Sequence, residues 1–226
     1  PSAMEKALDV EISITGANRV ASVEVLAYDA AGQLAASATR PPLPGGARLR
    51  LELGEDARLW SPESPHLYDL VVQLKDEKGD ILDKAQSYTG LRDISVKNSI
   101  VHINNDPVFL IGVLDQGYFK NTLIAPPDGQ TLVRDVDLIQ EYGYNMVRKH
   151  EKIEDARWLR RAAEKGLLVW HDMPCTRDFT PEGQRRLTDQ FRRAVEQNAG
   201  CPAIIAWTVD NENFGTPNQP KGDPLQ

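Results

Sequence analysis

Residues 166–172 read Gly-Leu-Leu-Val-Trp-His-Asp, a short apolar run that begins after a glycine and ends in polar side chains. A run of this length between breaks is typical of a buried β-strand rather than of a helix. Three similar runs occur in the second half of the chain, at 108–113, 144–147 and 203–207. We therefore expect four buried strands there, each followed by polar residues.

Segments with helical spacing lie between these strands. Asp128 can cap a helix that ends at Gly143, and a second helix is expected over 154–165. Thr180 and Pro181 fit the N-cap and the first position of a third helix. Strands that alternate with helices through short connections predict parallel β/α units.

The carboxyl ends of parallel strands meet at one edge of a sheet, and the active sites of such folds lie there. A functional site should therefore combine side chains that are distant in sequence. The polar residues that follow the four predicted strands are Asp115, Gln116, Arg148, His150, His171, Asp172, Asn211 and Glu212.

The first half of the chain has a different pattern. Apolar and polar residues alternate with a period of two over 8–15 and 48–53, and turn residues separate further strand-like segments. Six or seven short strands over this length are typical of an immunoglobulin-like β-sandwich. We therefore expect two domains, a sandwich over 1–96 and a β/α domain over 97–226.

Composition argues against two classes of partner. The formal net charge is −7 and the basic residues do not cluster, so no nucleic-acid partner is expected. No apolar run reaches the roughly 18 residues of a membrane helix, so no membrane partner is expected either. The first residues resemble an internal cut, which leaves the compartment open between bacterial cytoplasm and periplasm or secretion.

The two cysteines are expected to be free thiols. Cys175 follows one predicted parallel strand and Cys201 precedes the next, so the two should lie at opposite ends of the sheet. A five-residue strand separates those ends by roughly 17 Å, which is beyond the reach of a disulfide.

Glu212 is the sharpest candidate for chemistry, because it follows the apolar run at 203–207. A carboxyl group at the end of a strand, in a partly enclosed site with aromatic walls, can have its pKa raised enough to donate a proton near neutral pH. The alternative is a solvated acid on a loop.

Arg148 and His150 follow another strand, and alternation places both on the same side of it. They could bind sugar hydroxyls or orient a carboxylate; an ion-pair network with Glu151 or Asp172 is the alternative. A zinc site from His150, His171 and Asp172 is a further alternative. No metal-binding spacing supports it, so no metal and no cofactor are expected.

Several segments, taken in order, resemble glycoside hydrolase family 2, the family of β-galactosidases, β-glucuronidases and β-mannosidases. The segment at 60–70 is similar to the W-x-P-x-x-P-x-L-Y-x-L stretch of that family's immunoglobulin-like domain. The other segments that carry the resemblance are 90–94, 103–113, 115–118, 143–150, 166–174 and 202–207, followed by Asn211 and Glu212.

The resemblance implies an immunoglobulin-like sandwich followed by the first four β/α units of a (β/α)8 TIM barrel. It implies a retaining, exo-acting β-glycoside hydrolase that takes a carbohydrate substrate and no cofactor. Glu212 would be the general acid/base, and Asn211 would contact the sugar 2-hydroxyl. The other residues that would line the sugar site are Arg148, His150, Asp172 and Trp207.

Two departures from the family pattern matter. The stretch at 198–203 lacks the family's Asn-His-Pro-Ser, on the face away from the chemistry. Retaining hydrolysis also needs a nucleophilic carboxylate about 5 Å from the acid/base. The family supplies it from the seventh strand, which this chain does not reach.

The missing nucleophile shapes the functional expectation. The isolated chain should be inactive and could associate with other copies through exposed barrel edges. The alternative function is a non-catalytic carbohydrate-binding or interaction module derived from such an enzyme.

Overall fold

The structure, a computed structural model, describes residues 3–16, 19–175 and 180–211. The chain forms two units, Pro1–Phe109 and Leu110–Gln226. The domain boundary after residue 96 stays a prediction.

Two antiparallel sheets share one apolar core in the first unit. Their strands are β1 (Ala7–Ser13), β2 (Ser22–Tyr28), β3 (Leu34–Arg40), β4 (Gly46–Glu52), β5 (Tyr68–Lys75) and β6 (Ile81–Thr89). β1 pairs with β4, and the other four are ordered β3-β2-β5-β6. Alternate residues such as Leu8, Val25 and Leu51 are buried in the shared core, as the period of two predicted.

A small three-stranded sheet follows in the same unit. Its strands are β7 (Ile94–Lys97), β8 (Ile100–Ile103) and β9 (Asp106–Pro107). Two-residue turns join them, and Asn98, Ser99, Asn104 and Asn105 all have positive φ there. Such turns match the twist of a hairpin and suit asparagine. Strands of two to four residues carry too little alternation to be assigned from sequence.

The second unit is a parallel sheet with helices between its strands. Its elements are β10 (Gly112–Asp115), α1 (Gly129–Glu141), β11 (Met146–Lys149), α2 (Ala156–Lys165), β12 (Leu168–Asp172), α3 (Pro181–Asn198) and β13 (Ile204–Thr208). The strands are ordered β10-β11-β12-β13, and each neighbouring pair is parallel. The predicted parallel β/α order is therefore confirmed.

Local chemistry explains where these helices begin and end. The side chain of Asp128 accepts a hydrogen bond from the Thr131 N–H at 2.6 Å, and that of Thr180 accepts one from the Gly183 N–H at 3.0 Å. Both interactions satisfy a backbone donor that a helix leaves unpaired at its start. Gly166 ends α2 in the left-handed conformation, with φ of 70°.

The parallel strands begin and end later along the chain than the apolar runs indicated. Arg148, His171 and Asp172 therefore lie within strands rather than after them. Backbone pairing continues past the apolar runs, and Arg148 and Asp172 bind each other across neighbouring strands there.

Two further sequence-based expectations can be compared with the described residues. Within those ranges, no helix combines the length and the apolar character that crossing a membrane requires. Cys175 and Cys201 are both free thiols, as predicted.

Candidate active site

Asp172, the last residue of β12, is the centre of a polar cluster at the carboxyl ends of the strands. Its carboxylate accepts hydrogen bonds from Arg148 Nε at 2.9 and 3.2 Å and lies 3.1 Å from His150 Nδ1. The Asp172 side chain is fully buried, whereas those of Arg148 and His150 keep 28% and 16% of their surface exposed. A buried carboxylate is costly unless it is paired, and these two partners satisfy it.

Arg148 connects two strand ends in this cluster. Its Nη2 donates to Asn211 Oδ1 at 2.7 Å, and its guanidinium carbon lies 5.1 Å from the centre of the Trp170 ring. A planar guanidinium can donate in its plane while stacking on an aromatic ring. Four predicted site residues, Arg148, His150, Asp172 and Asn211, thus converge from three separate parts of the chain.

Asn211, which is almost fully buried, has hydrogen-bond partners at both ends of its side-chain amide. Its Oδ1 accepts from Arg148, and its Nδ2 donates to Glu151 Oε1 at 3.3 Å. An arginine can only donate, which fixes the amide oxygen on the Arg148 side. Each end of the amide retains capacity for one more hydrogen bond, as a ligand hydroxyl would require.

Glu151 and Cys175 belong to this cluster but were not among the predicted site residues. Cys175 Sγ donates to Glu151 Oε1 at 3.4 Å and accepts from the Asn211 backbone N–H at 3.3 Å. Burial raises the pKa of the Cys175 thiol to about 11, so it stays protonated near neutral pH. The signal that could have found both residues is their position, since each follows within three residues of a strand end.

Glu212, the predicted acid/base, lies outside the described residues. Its chain neighbour Asn211 is the last described residue and is buried within the polar cluster. The role of Glu212 therefore stays a prediction.

Trp207 lies on the opposite face of the sheet from the cluster. Its ring stacks on His171, with centroids 4.7 Å apart, and meets Phe191 of α3 edge-on at 5.9 Å. The adjacent Thr208 faces the cluster side, where its Oγ1 accepts from Trp170 Nε1 at 2.6 Å. Strand alternation thus directs Trp207 into the packing beneath α3, and this placement does not support its predicted contact with sugar.

A second charged cluster surrounds Lys149 on the face that packs against the helices. The Lys149 ammonium binds the Asp115 carboxylate, lies 2.6 Å from Glu154 Oε2 and 3.6 Å from Asp135 Oδ2. It also lies 4.2 Å from the centre of the Trp158 ring. Asp115, one of the residues predicted at a strand end, is therefore used by this cluster.

The Lys149 cluster is electrostatically coupled. Burial acts to lower the pKa of Lys149, but the charges of Glu154 and Asp115 outweigh it and raise that pKa. Burial acts to raise the pKa of Glu154, and the Lys149 charge reverses that effect. Asp135 is farther from the ammonium, and its burial raises its pKa despite Lys149. The lysine therefore stays charged while fully enclosed.

His171 lies on the same face as Lys149 and away from His150. Its Nε2 accepts the Glu154 backbone N–H at 2.9 Å, and burial lowers its pKa to about 4. The alternative of a zinc site from His150, His171 and Asp172 is therefore wrong, because the two imidazoles lie on opposite faces of the sheet. Within the described ranges, no group of three His, Cys, Asp or Glu side chains could hold a metal ion.

Comparisons with known proteins show which family the chain resembles. Residues 2–92 match the model described as glycosyl hydrolases family 2. A β-galactosidase from Priestia megaterium is 28% identical over 186 residues, which cover 75% of this chain and 18% of that protein. A β-galactosidase from Enterobacter cloacae is 25% identical over 228 residues, which cover 91% of this chain and 22% of that protein.

A solved structure shows the same fold over nearly the whole chain. Bacteroides uniformis β-glucuronidase 3 superposes with a TM-score of 0.80 at 22% identity, covering 94% of this chain and 27% of that protein. The family match over residues 2–92 and the similarity of most of the chain to these β-galactosidases agree with the resemblance noted in the sequence. The chain spans only about a fifth of the length of the two β-galactosidases.

Proposed function

We propose that this chain carries the acid/base half of the active site of a retaining, exo-acting β-glycoside hydrolase. Glu212 is the proton donor, and Asn211, Arg148, His150 and Asp172 form the adjoining wall of the sugar site. The β-galactosidases and β-glucuronidase to which the chain is similar support a β-glycoside as the substrate class.

One observation carries this proposal. Arg148, His150 and Asp172 join Asn211 in one hydrogen-bonded cluster, and Asn211 directly precedes Glu212 in the chain. The described donors and acceptors suit neutral hydroxyl groups, because the Arg148 charge is already paired with Asp172. A sugar bound beside Asn211 would therefore meet an ordered, partly exposed polar wall.

The reaction that fits this wall is a double displacement. Glu212 protonates the glycosidic oxygen while a carboxylate from outside this chain attacks the anomeric carbon. The leaving alcohol departs, and Glu212, now ionised, takes a proton from the water that releases the sugar. The Asn211 amide orients the substrate by a hydrogen bond to the sugar 2-hydroxyl.

The architecture proposed for this function is an immunoglobulin-like sandwich followed by the first four β/α units of a TIM barrel. The two facing antiparallel sheets support the first part, and the parallel β10-β11-β12-β13 sheet supports the second. On this view β10 and β13 continue into further barrel strands. Alone, they would leave edges through which copies of the chain could associate.

The test is hydrolysis of a panel of nitrophenyl β-glycosides by the full-length polypeptide that contains the remaining barrel strands. We expect turnover of at least one of the galactoside, glucuronide, mannoside or glucoside, and none by the 226-residue chain alone. Sugar binding without turnover by the full-length polypeptide would instead support the alternative, a non-catalytic carbohydrate-binding module.

A further inference from the structure

One carboxylate oxygen joins the ends of three strands in the polar cluster. Glu151 Oε1, just after β11, accepts from Cys175 Sγ at 3.4 Å and from Asn211 Nδ2 at 3.3 Å. Cys175 follows β12 and Asn211 follows β13. The three residues, named here the Asn211 clamp, therefore connect segments that are distant in sequence.

Cys175 holds the backbone of Asn211 as well. The Asn211 N–H donates to Cys175 Sγ at 3.3 Å, and the sulfur also lies 3.7 Å from the Asn211 carbonyl oxygen. A thiol can accept and donate at once, so Cys175 passes the constraint from the Asn211 backbone to Glu151. Asn211 is thus fixed at its main chain by Cys175 and at its side chain by Glu151 and Arg148.

The backbone of Glu151 is held in an uncommon conformation. Its φ is +51°, in the left-handed region that residues other than glycine rarely adopt. Such a conformation costs energy and persists only where surrounding contacts determine it. The side chain of Glu151 keeps 37% of its surface exposed, so burial is not what holds it in place. In this conformation the Glu151 carboxylate contacts Asn211 and Cys175 and lies 3.9 Å from His150 Nε2.

We propose that Glu151 and Cys175 are positioning residues that orient Asn211 toward the sugar 2-hydroxyl. This inference rests on the proposed function for its catalytic consequence, although the clamp itself can be measured without catalysis. Hydrogen bonds to the 2-hydroxyl strengthen in the transition state of glycoside hydrolysis. Loosening the clamp should therefore lower kcat more than it raises KM.

The first experiment measures the clamp directly by hydrogen exchange on the full-length protein, resolved to single amides by mass spectrometry. In Cys175→Ala, the Asn211 amide should lose about tenfold in protection, because its acceptor is gone. Cys175→Ser should restore part of it, since a hydroxyl also accepts. Cys201→Ala is the matched control, because Cys201 is buried before β13 and hydrogen-bonds to the Leu159 carbonyl instead.

The second experiment compares a β-glycoside with its 2-deoxy analogue in Glu151→Ala and Cys175→Ala. We expect about a tenfold loss of kcat on the glycoside, roughly the value of one hydrogen bond. On the 2-deoxy analogue the loss of kcat should stay within about twofold. This substrate lacks the 2-hydroxyl through which the clamp is proposed to act, so loosening the clamp removes little more. Glu151→Gln should recover most of the activity, and Glu164→Ala is the control, since Glu164 pairs with Arg160 and Arg161 on α2.

The outcomes separate the clamp from the proposed function. Unchanged Asn211 exchange in Cys175→Ala would overturn the clamp, and equal losses on both substrates would overturn the positioning role proposed for Glu151 and Cys175. An inactive wild-type enzyme with a changed Asn211 exchange would overturn the proposed function and leave the clamp supported.

Discussion

The two faces of strand β11 use charge in different ways. On one face, Lys149 is sealed from solvent and bound by Asp115 and Glu154. On the other, Arg148 pairs with Asp172 but keeps part of its guanidinium exposed and reaches Asn211. The adjacent residues Lys149 and Arg148 therefore belong to two different ion clusters, the first enclosed and the second partly exposed to solvent.

The difference indicates which charges hold the unit together and which are available to a ligand. The Lys149 ammonium binds two carboxylates directly and lies against the Trp158 ring, so it has little left to offer a substrate. The open cluster retains donors and acceptors beside exposed surface. We therefore expect substitutions on the enclosed face to change stability and those on the open face to change activity.

The largest effect on stability is expected for Lys149→Met. Removing one partner of a buried ion cluster leaves uncompensated charge and typically costs about 3 to 5 kcal/mol. Urea unfolding followed by tryptophan fluorescence measures it, because Trp158, Trp170 and Trp207 all lie in the second unit. Lys165→Met is the control and should cost less than about 1 kcal/mol, since its pair with Asp137 is half-exposed. Equal losses in both variants would contradict the contrast between the faces.

A somewhat smaller effect is expected from protonation of His171, which tests how well the enclosed face excludes water. Burial lowers the pKa of His171 to about 4 from an ordinary value of 6.5, so the unfolded chain binds this proton first. Its contribution to stability is complete above pH 6.5 and is lost as the pH falls toward 4.

The measurement compares the pH dependence of unfolding in the wild type and in His171→Gln. The wild type should lose roughly 3 kcal/mol more than the variant between pH 6.5 and 4. Parallel curves for the two proteins would mean that His171 is hydrated and that the face is not sealed.

Asp172→Asn probes the open face and should cost less stability, about 1 to 3 kcal/mol, because it removes charge-assisted hydrogen bonds but keeps the side-chain shape. Its effect on activity should be larger. Displaced Arg148 and Asn211 should lower kcat/KM of the full-length enzyme by about 100-fold. Enzyme kinetics and urea unfolding of the same variant separate the two effects. A loss of stability as large as that of Lys149→Met, with kcat/KM of the folded variant unchanged, would show that Asp172 acts structurally, as Lys149 does.

The smallest effect is expected for Arg48→Gln in the first unit. Arg48 pairs with Glu11 across β1 and β4 at 2.8 Å, but both side chains are largely exposed. Exposed ion pairs contribute little because solvent screens them. The urea midpoint should therefore stay unchanged within error. A clearly lower urea midpoint would show that an ion pair stabilises this protein even when it is exposed to solvent.

The ends of the helices and the parallel sheet were predictable because short-range chemistry determines them. Asp128, Thr180 and Gly166 are residues whose local preferences match the caps found. The convergence of Arg148, His150 and Asp172 also followed from the rule that the carboxyl ends of parallel strands lie at one edge of the sheet. These inferences needed only neighbours in sequence and the geometry of a parallel sheet.

Other features depended on contacts that the sequence does not reveal. The face of Trp207 depends on the pairing register of its strand, and a register shift of one residue moves a side chain to the other side. The roles of Cys175 and Glu151 depend on Asn211, which is distant in the chain. The trio at Lys149 likewise combines residues of β10, β11 and the segment before α2.

The most direct measurement is the dependence on leaving group of Glu212→Gln in the full-length enzyme. A proton donor matters most when the leaving alcohol is a weak acid, and such catalysis contributes about 10² to 10⁴-fold. Hydrolysis of a phenyl β-glycoside should therefore fall at least 100-fold, while formation of the glycosyl-enzyme from a 2,4-dinitrophenyl β-glycoside falls far less. Equal falls for both substrates would contradict Glu212 as the acid.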